Sequence, residues 1–211
     1  MVETPVFNEI KKRSAQYFKH SHHDKYHVER VYNLAIRLAQ KEEADLDTVK
    51  AAALLHDIAR AKEDEGTIND HAKEGAKMAR KILEEVKFPK QKIANVIHCI
   101  ETHRFRKGLA PKTLEAKILQ DADRLDIIGA IGIARVFTRG GWSNKPIHDS
   151  SIPPKEKYDG KSETTVNHIY EKLLKVRNTI NTKTAKRIAE KRHTYVEQFL
   201  AKLLKEWKAE I

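Results

Sequence analysis

The chain has 211 residues and a single cysteine, Cys99. One thiol excludes an internal disulfide framework and a cysteine-built structural zinc site. No apolar run approaches the roughly 18 residues that span a membrane. The first residues, MVETPVFNEIKKR, carry no apolar h-region, so no secretory leader is expected and a cytoplasmic location is. Glycine and proline are scarce, with 8 and 6 residues, and they gather in loops, which favours helices. There is no arginine-rich block, no aromatic stacking motif and no helix-turn-helix signature. Nucleic acid is therefore not the expected main partner, although the net charge is +11. An anionic phosphate compound accounts for the same charge. The lysines of the C-terminal third alternate with Glu at helical spacings, as on a solvated face.

What the chain does have is helical periodicity, and an all-α protein of seven or eight helices is expected. Phe7, Ile10, Tyr17 and Phe18 share a face over residues 6–20. Asp24 is placed to cap a second helix, about 26–41, burying Val28, Val31, Leu34, Ala35 and Leu38, with His27 in its first turn. Asp45-Leu46-Asp47 opens a third, which carries Val49 and Ala52 to Leu55 and ends at His56-Asp57. A polar loop follows, AKEDEGTIND. Asp70 then caps a helix from His71 to about Val86, and Phe88-Pro89 closes it. Lys90 to His103 forms the next, on Ile93, Val96, Ile97 and Ile100. Thr113 caps another with Leu114, Ile118, Leu119 and Ala122 inward, running into the apolar stretch Leu125 to Ile133. There Gly129 and Gly132 suit close helix approach; their spacing is not a phosphate-cradling loop.

Gly140 to Lys161 reads as a long irregular loop and contains three of the six prolines. A loop of that length is a lid or a surface excursion, and Trp142, Lys145, His148 and Tyr158 are the residues on it that would touch a substrate. Ser162 caps a helix to about Ile180, and Thr182 or Thr184 opens the last one, to about Lys208. Its Ile188, Tyr195, Phe199, Leu203 and Trp207 make a core or subunit-packing stripe, which leaves a homodimer open. No internal repeat or domain boundary is evident. The expectation is one domain over residues 1–211, with a core at about 20–140 and the helices of about 162–209 packed on it.

The chemistry centres on His56-Asp57, at the end of the apolar run Ala51 to Ala59. Two adjacent polar side chains in a buried stretch cost several kcal/mol, on the order of 2–7 each, unless something pairs with them. A helix cap or hydrogen-bonded pair is one answer. A divalent metal is another, since imidazole and carboxylate both suit borderline first-row ions. His27 on an earlier helix, and Asp123 within Asp121-Ala122-Asp123-Arg124-Leu125-Asp126 on a later one, supply further ligands of the same kind.

The ordered set His27, His56-Asp57, Asp123 on successive helices resembles the HD-domain metal-dependent phosphohydrolase superfamily. The segment QDADRLDIIGAIGIAR, with HRFR ahead of it, is similar to small stand-alone bacterial and archaeal members. The resemblance covers about residues 20–140. It implies a helical bundle in which His27, His56, Asp57 and Asp123 hold one divalent ion, with two as the alternative (Mn, Fe, Co, Ni, Zn or Mg). His71 and His103 fall where some members carry two extra histidines, either for a second ion or to contact phosphate and orient water. The implied activity is hydrolysis of a small phosphorylated metabolite, a nucleotide or deoxynucleotide, with release of phosphate or pyrophosphate. Other readings are a metal-retaining nucleotide sensor and a basic nucleic-acid-binding module without turnover. Glu63 or Asp64 is a candidate proton acceptor and Arg124 a candidate catalytic cation. Arg60, Lys73, Arg104 and Arg106 are candidates to bind the phosphate chain, for which arginine's fork is suited. Lys77 reads as a surface cation, and Asp121 and Asp126 as supporting groups. The GYP motif of cyclic-di-GMP phosphodiesterases is absent.

Overall fold

The computed structural model describes residues 4–18, 25–104 and 109–210. Among the described residues every regular element is helical: ten α-helices and one 3-10 helix. None is long and apolar enough to cross a membrane. The chain divides into two compact units, Met1–Asp123 and Arg124–Ile211.

The first unit holds α1 (Pro5–Ala15), α2 (Lys25–Glu42), α3 (Leu46–Leu55), α4 (Arg60–Asp64), α5 (His71–Glu85), α6 (Lys90–Thr102) and most of α7 (Leu114–Leu125). α3 is its axis and packs on α2, α6, α1 and α5. Small side chains permit this. Ala51, Ala52 and Ala53 are fully buried, so α3 meets neighbours on several faces. α5 also presents small residues, Ala72, Ala76 and Ala79, and lies along α6. Each fully buried Leu or Ile in this core contributes about 1.5–3 kcal/mol.

Three helix openings are capped where the sequence places them. Asp45 accepts from Thr48 N–H, and Asp70 from the N–H groups of Ala72 and Lys73. Thr113 Oγ1 accepts from Ala116 N–H. The expected cap at Asp24 lies outside the described residues, and the first helix ends at Ala15, short of the expected residue 20. α5 stops because Lys87 turns left-handed, with φ 56, and Phe88 N–H returns to the Leu83 carbonyl. Phe88 then meets Phe7 edge-on, with centroids 6.2 Å apart. The polar stretch after Arg60 is not all loop. Arg60 pairs with Glu63 and Asp64 at helical spacing, and a one-turn helix, α4, forms there.

The second unit holds α8 (Gly129–Trp142), α9 (Thr165–Glu171), a 3-10 helix (Leu173–Thr179) and α10 (Lys183–Trp207). α10 packs on α8 and on the 3-10 helix. The apolar stretch Leu125 to Ile133 does not continue α7 as expected. Ile128 is extended and Gly129 has φ +79, a left-handed backbone that glycine adopts without penalty. Gly132 serves this break. A Cβ there would lie 2.0 Å from the Ile127 carbonyl oxygen.

The irregular segment after Trp142 is tied to α9. The N–H groups of Thr165 and Val166 bond the carbonyls of Pro146 and Ile147. Lys145 Nζ reaches the Ser162 carbonyl at 2.6 Å, and Lys155 N–H reaches Glu171 at 2.9 Å. Ser162 is not the cap expected of it. Thr164 caps α9 through Asn167 N–H, and Ser162 Oγ donates to Glu171 at 2.5 Å. Of the two candidates to open the last helix, Thr182 is the cap.

Candidate metal centre

α3 ends at Leu55, and the chain turns through His56 to Ala59 with both His56 and Asp57 inside the fold. They are 0% and 3% exposed. The turn keeps its own backbone bonds, Arg60 N–H to the Asp57 carbonyl at 2.9 Å. His27, from the first turn of α2, is fully buried, and the Asp123 side chain, from α7, is 13% exposed. His71 begins α5 and His103 follows α6; each is 3% exposed. The four histidines and two aspartates all belong to the first unit.

Asp57 is the hinge of the cluster. Its Oδ2 lies 3.6 Å from His56 Nε2 and 3.8 Å from His27 Nε2. Its Oδ1 lies 3.2 Å from His71 Nε2 and 3.4 Å from His103 Nε2. Asp123 Oδ1 approaches His27 Nε2 at 3.4 Å. The two sides of Asp57 are thus two trios, His27/His56/Asp57 and Asp57/His71/His103. Within each, the candidate ligand atoms lie no more than 4.8 Å apart.

The far nitrogens explain why the Nε2 atoms converge. His56 Nδ1 bonds the Ala53 carbonyl at 2.9 Å, and His103 Nδ1 the Ile100 carbonyl at 2.6 Å. His71 Nδ1 bonds Glu63. A carbonyl or carboxylate only accepts, so each Nδ1 carries a hydrogen, and in the neutral ring Nε2 then presents its lone pair inward. This is the outer support that metal-ligating histidines have. His56 Nε2 is buried and has no hydrogen-bond partner. An orphaned polar atom of that kind costs about 1–3 kcal/mol. A divalent cation would satisfy it, and the set of imidazole and carboxylate donors fits a first-row ion.

The charges differ across the cluster. Burial, helped by His103 and His27, pushes the His56 imidazole below its ordinary value against the pull of Asp57. Burial also opposes protonation of His103, but the carboxylates of Asp57 and Asp123 outweigh it and raise that pKa. Burial would raise the Asp123 pKa; His27, with His56 and His103, instead holds the carboxyl well below the usual range.

The remaining candidates are placed differently. Glu63 lies behind His71, engaged by His71, Arg60 and Arg104. Burial alone would raise its pKa, and these three partners lower it. Asp64 pairs with Arg60 at 3.1 Å. Arg104 Nη1 bonds Glu63 at 2.9 Å and Asp70 at 3.0 Å. Arg60 and Arg104 are thus already bound to carboxylates. Lys73 is exposed on α5, and Lys77 pairs with Glu74 at the surface. Arg106 lies outside the described residues. Arg124 donates to the Thr179 carbonyl, and Asp126 accepts from Arg135 at 2.6 Å. On the irregular segment Trp142 is 81% exposed, His148 meets Trp207 edge-on, and Tyr158 meets His168. Sequence reasoning missed two things: the carbonyls of Ala53 and Ile100, and the second role of Asp70. The carbonyls have a signal, a histidine three residues past them at a helix end.

Three comparisons with known proteins bear on this cluster. The HD domain family matches residues 25–128, a span that contains all six residues. The Bacillus subtilis protein YpgQ is 35% identical over 190 residues, covering 88% of this chain and 85% of its own. Its crystal structure in complex with ADP superposes with TM-score 0.75 at 31% identity, over 95% of this chain and 94% of that one. A crystal structure of an HD-superfamily hydrolase from Bacillus thuringiensis gives TM-score 0.75 at 37% identity, over 96% and 99%. With its His-Asp doublet at the centre of such a cluster, the chain belongs to the HD-domain family.

Proposed function

We propose that the chain is a metal-dependent phosphohydrolase of a nucleotide or deoxynucleotide, releasing phosphate or pyrophosphate. The observation that carries this reading is the convergence of Nε2 atoms on Asp57, with His56 Nε2 buried and without a hydrogen-bond partner. His27, His56, Asp57 and Asp123 are the residues that would hold the first ion, and Asp57, His71 and His103 those that would hold a second. When bound, a divalent ion polarises a phosphoryl oxygen and makes a nucleophile of water by lowering its pKa. The chain's own residues set the geometry. The carbonyls of Ala53 and Ile100 fix two imidazoles, and Asp57 keeps the two halves in register.

Charge and a relative's ligand support the substrate class. The net charge of +11 attracts anions. YpgQ, similar over most of its length, has been crystallised with ADP. Arg60 and Arg104 would meet a phosphate chain only by exchanging their present carboxylate partners.

The test is hydrolysis across a panel of nucleotides and phosphoesters, with phosphate, pyrophosphate and nucleoside products resolved. Wild type and the His56→Ala, Asp57→Ala variant are compared after metal removal and supply of Mn, Mg, Co, Ni or Zn. The expected result is metal-dependent turnover of a nucleotide by wild type, absent from the variant. Metal and nucleotide binding without turnover of any compound would replace this reading with a sensor. A wild type that binds no metal would end it.

A further inference from the structure

The two sides of Asp57 are supported by different means, and this gives Glu63 a role. We infer that Glu63 is a positioning residue for the His71/His103 side and does not accept a proton from water. The inference rests on the metal-centre reading above. Glu63 Oε2 receives the Nδ1–H of His71 and shares Arg60 Nη1 at 3.3 Å. Its Oε1 receives Arg104 Nη1 at 2.9 Å. Arg104 in turn holds Asp70, the cap of α5, at 3.0 Å.

One carboxylate therefore ties three segments: α4, which carries it; the first residue of α5, which is His71; and the segment after α6, where Arg104 follows His103. Both oxygens face cationic or N–H donors on the Nδ1 side of the His71 ring. The reactive side of that ring is the other nitrogen, where Nε2 stands 3.2 Å from Asp57 Oδ1 and 3.3 Å from His103 Nε2. A base for water needs a lone pair within hydrogen-bond reach of that side, and Glu63 has both oxygens turned away. His56 and His103 hold their orientation through backbone carbonyls, which no single side-chain substitution removes. In this set, His71 is oriented by a side chain.

The experiment is a Mn titration of the full chain after metal removal, counting ions bound per chain, with wild type, Glu63→Ala and Glu63→Gln. Nitrogen-15 histidine spectra report the His71 tautomer in parallel. Wild type is expected to take two ions and to hold His71 with hydrogen on Nδ1. In Glu63→Ala the first ion binds as in wild type, and the second binds about 10–100-fold more weakly. Its His71 tautomers become mixed. In Glu63→Gln the side-chain oxygen still accepts from Nδ1, and the second ion weakens less than in Glu63→Ala. This variant decides the matter if Glu63→Ala does not fold. Unchanged affinity for both ions, with turnover lost, would mean that Glu63 is the base and would overturn the inference alone. A single ion in wild type would also overturn it. No ion in wild type would remove the metal centre with it.

Discussion

Two of the polar clusters buried among the described residues are built on opposite rules. In the second unit Glu171, 1% exposed, has each oxygen occupied, one by Lys155 N–H and one by Ser162 Oγ. That carboxylate is satisfied locally and staples an irregular segment to α9. In the first unit the outer nitrogens of His56, His71 and His103 are satisfied, while His56 Nε2 is buried without a hydrogen-bond partner. Both are buried and polar; of the two, the cluster around Asp57 keeps bonding capacity in reserve. A satisfied cluster contributes stability, whereas one with converging open lone pairs is held together against its own preference and implies a ligand.

This difference can be broken by substitution. The largest effect is expected from Asp57→Asn. Losing the shared carboxylate should abolish metal uptake on both sides and reduce hydrolysis to background, as read by metal analysis and product release. Next, Glu171→Ala should cost about 1–3 kcal/mol in urea unfolding, because the buried Ser162 hydroxyl and the part-buried Lys155 N–H lose their acceptor, and it should leave metal uptake unchanged. If Glu171→Ala cost nothing, or removed metal binding, the contrast between the two clusters would fail.

Metal itself provides a third comparison. An ion that binds only the folded chain stabilises it by about 2.7 kcal/mol at a hundred times its dissociation constant. Thermal unfolding of wild type should shift upward with Mn, and that of His56→Ala should shift less. The smallest effect concerns His168, beside Ser162 Oγ at 3.2 Å. Burial, and then Lys172, Lys145 and Arg139, push its pKa down to about 3. The unfolded chain binds the proton near the ordinary value of about 6.5. Between those values the unfolded state holds more protons, so stability falls as pH drops from about 6.5 towards 3. From pH 6 to 5 wild type should lose about 1 kcal/mol more than His168→Gln, measured by urea midpoints. An equal loss in both proteins would place the acid sensitivity elsewhere.

Much of this was legible in the sequence. His27, His56, Asp57 and Asp123 stand out because polar ligands interrupt helical apolar stripes, and the caps at Asp45 and Asp70 follow from their residue type. What could not be read has physical causes. Glu63 was a candidate base because it follows the doublet closely; its actual direction depends on the α4 turn and on Arg104, which is remote in sequence. The break after α7 was hidden by an unbroken apolar run, since Gly129 looks the same in a helix as in a left-handed turn. Ser162 and Thr164 are equivalent caps on paper. A buried glutamate claims the first, leaving the second to cap α9.

The most direct measurement of the central claim is anomalous scattering from crystals of the full chain grown with Mn. The account predicts one peak enclosed by His27, His56, Asp57 and Asp123, and another between Asp57, His71 and His103. Well-ordered side chains there, with no peak on either side of Asp57 under saturating Mn, would contradict it.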